Sequence, residues 1–217
     1  MSTASRRKTA FCLAAIALAA TCAVGMRIWW VNAHAVSIPT LAHAEGEWVD
    51  LDGAFSETVE ENTDGYRLRI ADTWLMSADD YLEAYSADGV TAARYDGGAT
   101  IVVAEVEIDN EGGSQGYMDA LTWRLIPQAR NDAYYIDWEL FDHAEPAMNQ
   151  TQGVFGIKPG TVRTVFVPFC KQKLVADHYL ERLERGTERS SLDDSPLDFV
   201  FTSLPVQHVI EIRPGCR

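Results

Sequence analysis

The chain has 217 residues, 32 of them acidic against 18 basic, for a formal charge of −14 at pH 7. An acidic surface of this kind repels nucleic acid and anionic lipid headgroups, so neither is expected as a partner of the folded part. Beyond an N-terminal apolar stretch about 180 residues remain, enough for one domain with its own core and too few for two comfortable ones.

The apolar stretch runs from Ala10 to Val31. Arg6, Arg7 and Lys8 precede it, 17 uncharged residues run from Ala10 to Met26, Arg27 interrupts, and Ile28-Trp29-Trp30-Val31 resumes the run. This is the pattern of a membrane-targeting segment with a basic flank at residues 1–9, which predicts a cytoplasmic N-terminus and everything that follows on the far side of the membrane. With Arg27 snorkelling and Trp29 and Trp30 at the headgroup level, Phe11 to Val31 spans about 30 Å of hydrocarbon. The alternative is secretion after cleavage, because Ala33-His34-Ala35 and Ala42-His43-Ala44 both have the small-x-small pattern that signal peptidase accepts. Arg27 and the tryptophan pair stand where a signal peptide has a short polar region, and they favour retention as a single-pass anchor. Ser5-Arg6-Arg7-Lys8 lacks the large apolar pair of a twin-arginine signal, and Thr21 breaks a lipoprotein box ending at Cys22. Cys12 and Cys22 read as small apolar residues of a helix. Removing Arg6, Arg7, Lys8 and Arg27 leaves 14 basic residues against all 32 acidic ones, so the exported part carries a formal charge of −18.

Residues 32–46 read as a spacer, irregular around Pro39, and the domain is expected over 47–217. Trp48 to Leu51 makes a brief strand closed by the turn residues Asp52-Gly53. The acidic run Phe55 to Asp64 lacks the ligand spacing and central glycine of a calcium loop and reads as solvated. Tyr66 to Met76 alternates as a half-buried strand, with Tyr66, Leu68 and Ile70 on one face and Arg67 and Arg69 on the other. Ser77 and Asp80 form a capping pattern for a short helix through Tyr85, whose first-turn carboxylates Asp79 and Asp80 suit the positive end of the helix. After the loop Asp88 to Gly98, Thr100 to Ile108 is the strongest strand and is expected at the centre of the core, with Val102, Ala104, Val106 and Ile108 facing one way and Glu105 and Glu107 the other. Asp109 to Gly113 is a turn. Leu121 to Leu125 and Tyr135 to Phe141 alternate as further strands, the latter with Ile136, Trp138 and Leu140 inward. Lys158-Pro159-Gly160-Thr161 has the chemistry of a type II turn and leads into Val162 to Phe169, apolar on both faces. Lys173 to Arg185 reads as a helical insertion stopped by Gly186, and Arg189 to Ser195 as a polar loop. Leu197 to Ser203 and Val206 to Arg213 complete about eight strands with two short helices, which predicts an all-β antiparallel sandwich.

In an oxidising compartment Cys170 and Cys216, the two exported cysteines, are expected to pair, closing a loop worth about 4 kcal/mol in the chain-entropy model. Neither has a Cys or His at zinc-ligand spacing, and no glycine-rich turn marks Cys170 as a nucleophile with His178 as its base. His34, His43, His143, His178 and His208 are scattered singly, and His208 alternates with Val206 and Ile210 as a core position. Trp48, Trp74, Trp123 and Trp138 fall in strand patterns, where core packing outweighs a carbohydrate platform. Nucleophile-elbow, phosphate-loop, zinc-helix and dinucleotide motifs are missing from the sequence, and no cofactor is expected.

Ile101 to Asn110, the turn at Lys158 to Thr161 with its apolar strand, and the Gly65-Tyr66 strand running into Ser77 to Leu82 together resemble the immunoglobulin-like extracytoplasmic domains of unknown function on Gram-positive bacterial envelope proteins. The resemblance covers roughly Trp48 to Arg213 and implies an immunoglobulin-like fold and an envelope location; it carries over no catalytic or binding residues. The expected function is that of a non-enzymatic, membrane-anchored interaction module whose partner is an envelope protein or polymer. The alternatives are an envelope hydrolase using the acidic residues near Asp79 and Asp80, and an accessory subunit of a membrane complex.

Overall fold

The computed structural model describes residues 3–35, 37–87, 89, 100–112, 116–128, 133–149, 153–171 and 196–216, and the chain divides into two compact units, Met1–Ser37 and Ile38–Arg217. The first unit is helix α1, Thr3–Ala33. It has no acidic residue in its first turn, and from Ala15 onward its side chains are exposed, Ile16, Leu18, Val24, Met26 and Ile28 among them. A helix apolar all round has no face to turn to water. Its segment Ala15–Ala33, 19 residues, is long and apolar enough to cross a membrane.

The second unit is mostly β. Its strands are β1 Thr40–Ala44, β2 Val49–Asp50, β3 Tyr66–Ser77, β4 Thr100–Asn110, β5 Met118–Asp119, β6 Arg124–Pro127, β7 Tyr134–Ile136, β8 Val154–Phe155, β9 Thr161–Lys171, β10 Leu197–Val200, β11 Gln207–Ile212 and β12 Gly215–Cys216. Among the described residues three short helices accompany them, α2 Ala78–Tyr85, α3 Trp138–Ala144 and α4 Pro146–Asn149. Among the described residues, ten strands form one mixed sheet in the order β1-β11-β10-β6-β7-β9-β4-β3-β12, with β2 also on β3; β5 and β8 pair separately.

The connectivity bends this sheet round on itself. Only Arg213 and Pro214 separate β11 from β12, yet β11 lies near one end of the strand order and β12 lies at the other, parallel to β3. Two residues cannot cross a flat sheet of this width, so the β11 side and the β3 side must come together. Their seam is covered by β1, which runs parallel to β11 from Thr40↔Gln207 to Ala44↔Glu211. Gly46 N–H, just after it, donates to Ile70 O of β3 at 2.8 Å. The outcome is a nearly barrel-like sheet. The all-β expectation is met in the coarse sense; the single curled sheet lends no support to two packed immunoglobulin-like layers.

Strand β4 is central as expected, antiparallel to β3 and to β9 along nearly its whole length, with Val106 opposite both Ile70 and Val165. Its alternation fills the interior with Val102, Ala104, Val106 and Ile108, where they meet Leu68, Ile70, Val167, Phe169, Phe199 and Ile210. A register shift between Ile70 and Asp72 reverses the alternation of β3, so Trp74 lies outside. There Trp74, Ile101 and Val103 form a second cluster with Tyr81 and Leu82 of α2 and Leu140 of α3. One end of the sheet is therefore buried on both faces, the other on the inner face alone.

Four local expectations change, the first being that the strand expected at Leu121 to Leu125 begins at Arg124 and runs to Pro127, after a turn at 121–122. Thr40–Ala44, expected to be irregular spacer, is a strand because β11 offers it a parallel edge. Tyr135 to Phe141, expected as one strand, is split: β7 stops at Ile136, Asp137 accepts from Leu140 N–H at 3.2 Å as an N-cap, and Trp138 begins α3. The Phe55–Asp64 run is not wholly solvated, because Glu61 is buried within it. The turns at Asp52-Gly53 and Gly160 have the positive φ that their residues suit. The expected loop Asp88 to Gly98 lies almost wholly outside the described residues, and the helical insertion Lys173 to Arg185 and the loop Arg189 to Ser195 lie wholly outside them.

Candidate functional site

The proposed membrane-interface residues are positioned by helical spacing. Arg27 and Trp30 are three residues apart, and the guanidinium carbon lies 5.1 Å from the indole centroid. Trp30 in turn stacks on His34 at 4.7 Å. Trp29 and Trp30 are largely exposed, as amphipathic rings at a headgroup boundary would be.

No disulfide is seen among the described residues, where one between Cys170 and Cys216 was expected. Strand order supplies the reason. Cys170 is on β9 and Cys216 on β12, with β4 and β3 between them. Three strand spacings amount to roughly 14 Å, about twice the reach of a disulfide between Cα atoms. Cys170 instead belongs to the fringe of the outer cluster near Tyr85 and Phe166, whose rings stack at 4.4 Å.

Titratable side chains converge at the seam. Where β1 leaves β11 the turn Glu45–Trp48 carries the chain to β3, and its side chains reach both ways. Thr73 Oγ1 of β3 donates to Glu45 Oε1 at 2.8 Å. Burial holds the Glu45 carboxyl above its ordinary range, partly offset by the Thr73 and Arg213 hydrogen bonds. Glu47 Oε2 accepts from Ala44 N–H at 3.1 Å, and its Oε1 lies 3.8 Å from His43 Nδ1. Trp48 is held between Arg67 and Arg69, whose guanidinium carbons lie 4.8 and 4.7 Å from the indole centroid. Those arginines pair across the ladder with Asp109 and Glu107. On the inner side, His43 Nε2 and His208 Nδ1 are 3.1 Å apart. His208 is buried against Phe201, and its backbone N–H donates to Thr202 Oγ1 at 2.8 Å. Burial lowers the His208 pKa, the neighbouring His43 lowers it further, and Asp52 acts the other way. The pairing of His43 with His208 was not legible in the sequence: 165 residues separate them, and the strand that brings His43 in reads as spacer.

A second carboxylate group lies at the end of the sheet where the loop after β2 packs. Glu61 accepts backbone N–H bonds from Glu57 at 2.8 Å, Thr58 at 3.0 Å, Asp119 at 3.2 Å and Ser56 at 3.3 Å. Beside it, burial raises the Asp119 pKa, and the hydrogen-bonded Glu57 carboxyl adds to that. Asp79 and Asp80, the residues of the hydrolase alternative, sit in the first turn of α2. There Asp80 is bound up with its cap Ser77, whose Oγ accepts from Asp80 N–H at 3.0 Å and donates to Asp80 Oδ2 at 2.6 Å. No group of three His, Cys, Asp or Glu able to hold a metal occurs among the described residues.

A family model described as "Domain of unknown function (DUF5028)" matches residues 41–208. The match begins in β1 and ends at the start of β11, and so reaches both His43 and His208. No curated protein and no solved structure matches the chain.

Proposed function

The chain belongs to the family described as Domain of unknown function (DUF5028), and for this member we propose the role of a membrane-tethered, extracytoplasmic interaction module of the bacterial cell envelope, without catalytic activity of its own. The observation that carries the reading is α1: a helix with exposed apolar side chains all round, a basic flank, and Arg27, Trp29 and Trp30 at its end, in a chain whose second unit is strongly acidic. A basic N-terminal flank favours retention in the cytoplasm, so the acidic unit is exported. The family match, over 41–208, covers most of the β unit and suits a module carried behind a tether. Kinship with the immunoglobulin-like envelope domains of Gram-positive bacteria is part of the same proposal, supported by the turn and strand chemistry of Ile101–Asn110 and Lys158–Thr161.

The test is chemical cross-linking on intact cells followed by co-purification of the full chain. A reproducible envelope protein or cell-wall polymer on the β unit is the expected result. A chain that yields only itself, while protease added to the cells leaves the β unit untouched, would overturn both the interaction and the topology. Replacing Ala10–Val31 with an unrelated anchor separates this reading from that of a complex subunit recognised through its helix: capture by the β unit survives the exchange, assembly through the helix does not.

A further inference from the structure

In chain order β1 is the first strand of the β unit, and its purchase on the rest of the sheet is slight. Its side chains are exposed apart from His43, so little apolar area holds it. What anchors it is one line of parallel pairing to β11, the Thr40–Gln207, Glu45–Thr73 and Gly46–Ile70 bonds, and the His43–His208 contact.

The geometry of that contact is specific. The ring centroids are 5.3 Å apart while the two nitrogens are 3.1 Å apart, so the centroid separation is the N···N distance plus one ring radius at each end. The rings therefore meet end to end, at an interplanar angle of 19°, with the nitrogen lone-pair directions aimed at each other. A metal ion bound by both nitrogens would have to lie where both lone pairs point, but these aim at each other along the N···N line, where 3.1 Å has no room for two bonds of about 2 Å; an N–H···N hydrogen bond fits. Such a bond needs one donor and one acceptor. It tolerates a neutral pair, and it tolerates one added proton, since Glu47 faces His43 from 3.8 Å. With two protons both nitrogens are donors, two positive rings oppose each other, and the contact cannot persist.

We propose that His43 and His208 form a proton-operated latch on the seam strand: with at most one proton between them β1 is docked along β11, and the second proton releases it. The charged groups around the latch are Glu47 from the turn after β1 and Asp52 from the turn after β2; Phe201 and Thr202, packed on His208 from the loop after β10, are uncharged. The direction agrees with the burial of His208, which disfavours its cation. Release exposes the β11 edge and lengthens the tether by the residues of β1.

The experiment is amide hydrogen exchange on the full chain in detergent micelles at about pH 7.5 and about pH 5, corrected for intrinsic rates. Release of an extra proton-binding site over that interval predicts that protection of the β1 amides and of the β11 amides facing them falls about tenfold or more, while β4 and β9 keep theirs. The double variant His43→Gln, His208→Asn keeps a donor and an acceptor at the two nitrogen positions without titrating, and should lose this pH dependence. Equal protection of β1 in the wild type at both pH values overturns the latch, whatever the variant does. So does a folded double variant that loses protection on acidification as the wild type does.

Discussion

A carboxylate that is 4 % exposed must find hydrogen-bond donors, and Glu61 finds four backbone N–H groups divided between its two oxygens. Because every donor is fixed backbone, an isosteric amide cannot satisfy them: in Glu61→Gln one oxygen becomes an NH₂ group facing N–H donors. We expect this variant to lose about 2–3 kcal/mol of stability in urea unfolding. Asp119 beside it behaves in the opposite sense. Its folded pKa is raised by burial and by Glu57, so the stability it contributes is complete below the ordinary aspartate value of about 3.9 and is lost as pH rises through the folded value. Asp119→Asn retains an acceptor for Leu121 N–H and should raise the unfolding free energy near neutral pH, by less than about 1 kcal/mol after solvent screening, and flatten its fall with pH above about 4, measured by urea unfolding. Gly65 has φ +78, and a Cβ there would meet the Gly112 Cα at 2.4 Å. Gly65→Ala should therefore cost about 2 kcal/mol or more, measured by the same unfolding.

At the scale of elements, hydrophobic period alone misassigns Tyr135 to Phe141. Ile136, Trp138 and Leu140 alternate as a strand would, but Asp137 is an N-cap and Trp138–Ala144 winds as helix to place Leu140 in the outer cluster. The signal lay in Asp137, a residue that favours caps and disfavours strands. Asp137→Ala should cost about 1 kcal/mol and reduce helical circular dichroism, since the cap bond to Leu140 N–H is lost. The Ser77–Asp80 cap of α2 was readable because cap and first turn adjoin in sequence and nothing distant alters them. Strand β1 was not readable: Thr40–Ala44 has no alternation of its own worth noting, and β11, more than 160 residues later, supplies the partner.

For the whole molecule, the order of strands in the closing sheet decides the fate of the cysteines. With β9 and β12 separated by two strands, Cys170 and Cys216 should both take up an alkylating reagent in denaturant without prior reduction, each adding one label to the intact mass. A mass short by two labels would restore the bridge and require a different strand order. The same closure explains why the hydrophobic pattern predicts β structure well and architecture poorly. Alternation tells which face of β4 or β9 is buried, and it reads the same for a sandwich as for a curled sheet. The barrel-like form is set by where β12 and β1 go, two short segments with almost no pattern.

Local chemistry was thus enough for the apolar helix, the central strand β4, the turns at Asp52-Gly53 and Gly160 and the cap of α2, because each depends on residues within a few positions of one another. Tertiary structure alone decided the seam: the docking of β1, the meeting of His43 with His208, the four-donor burial of Glu61, and the separation of Cys170 from Cys216. Each of these joins residues from distant parts of the chain, and a one-dimensional pattern carries no information about which strand edges will meet.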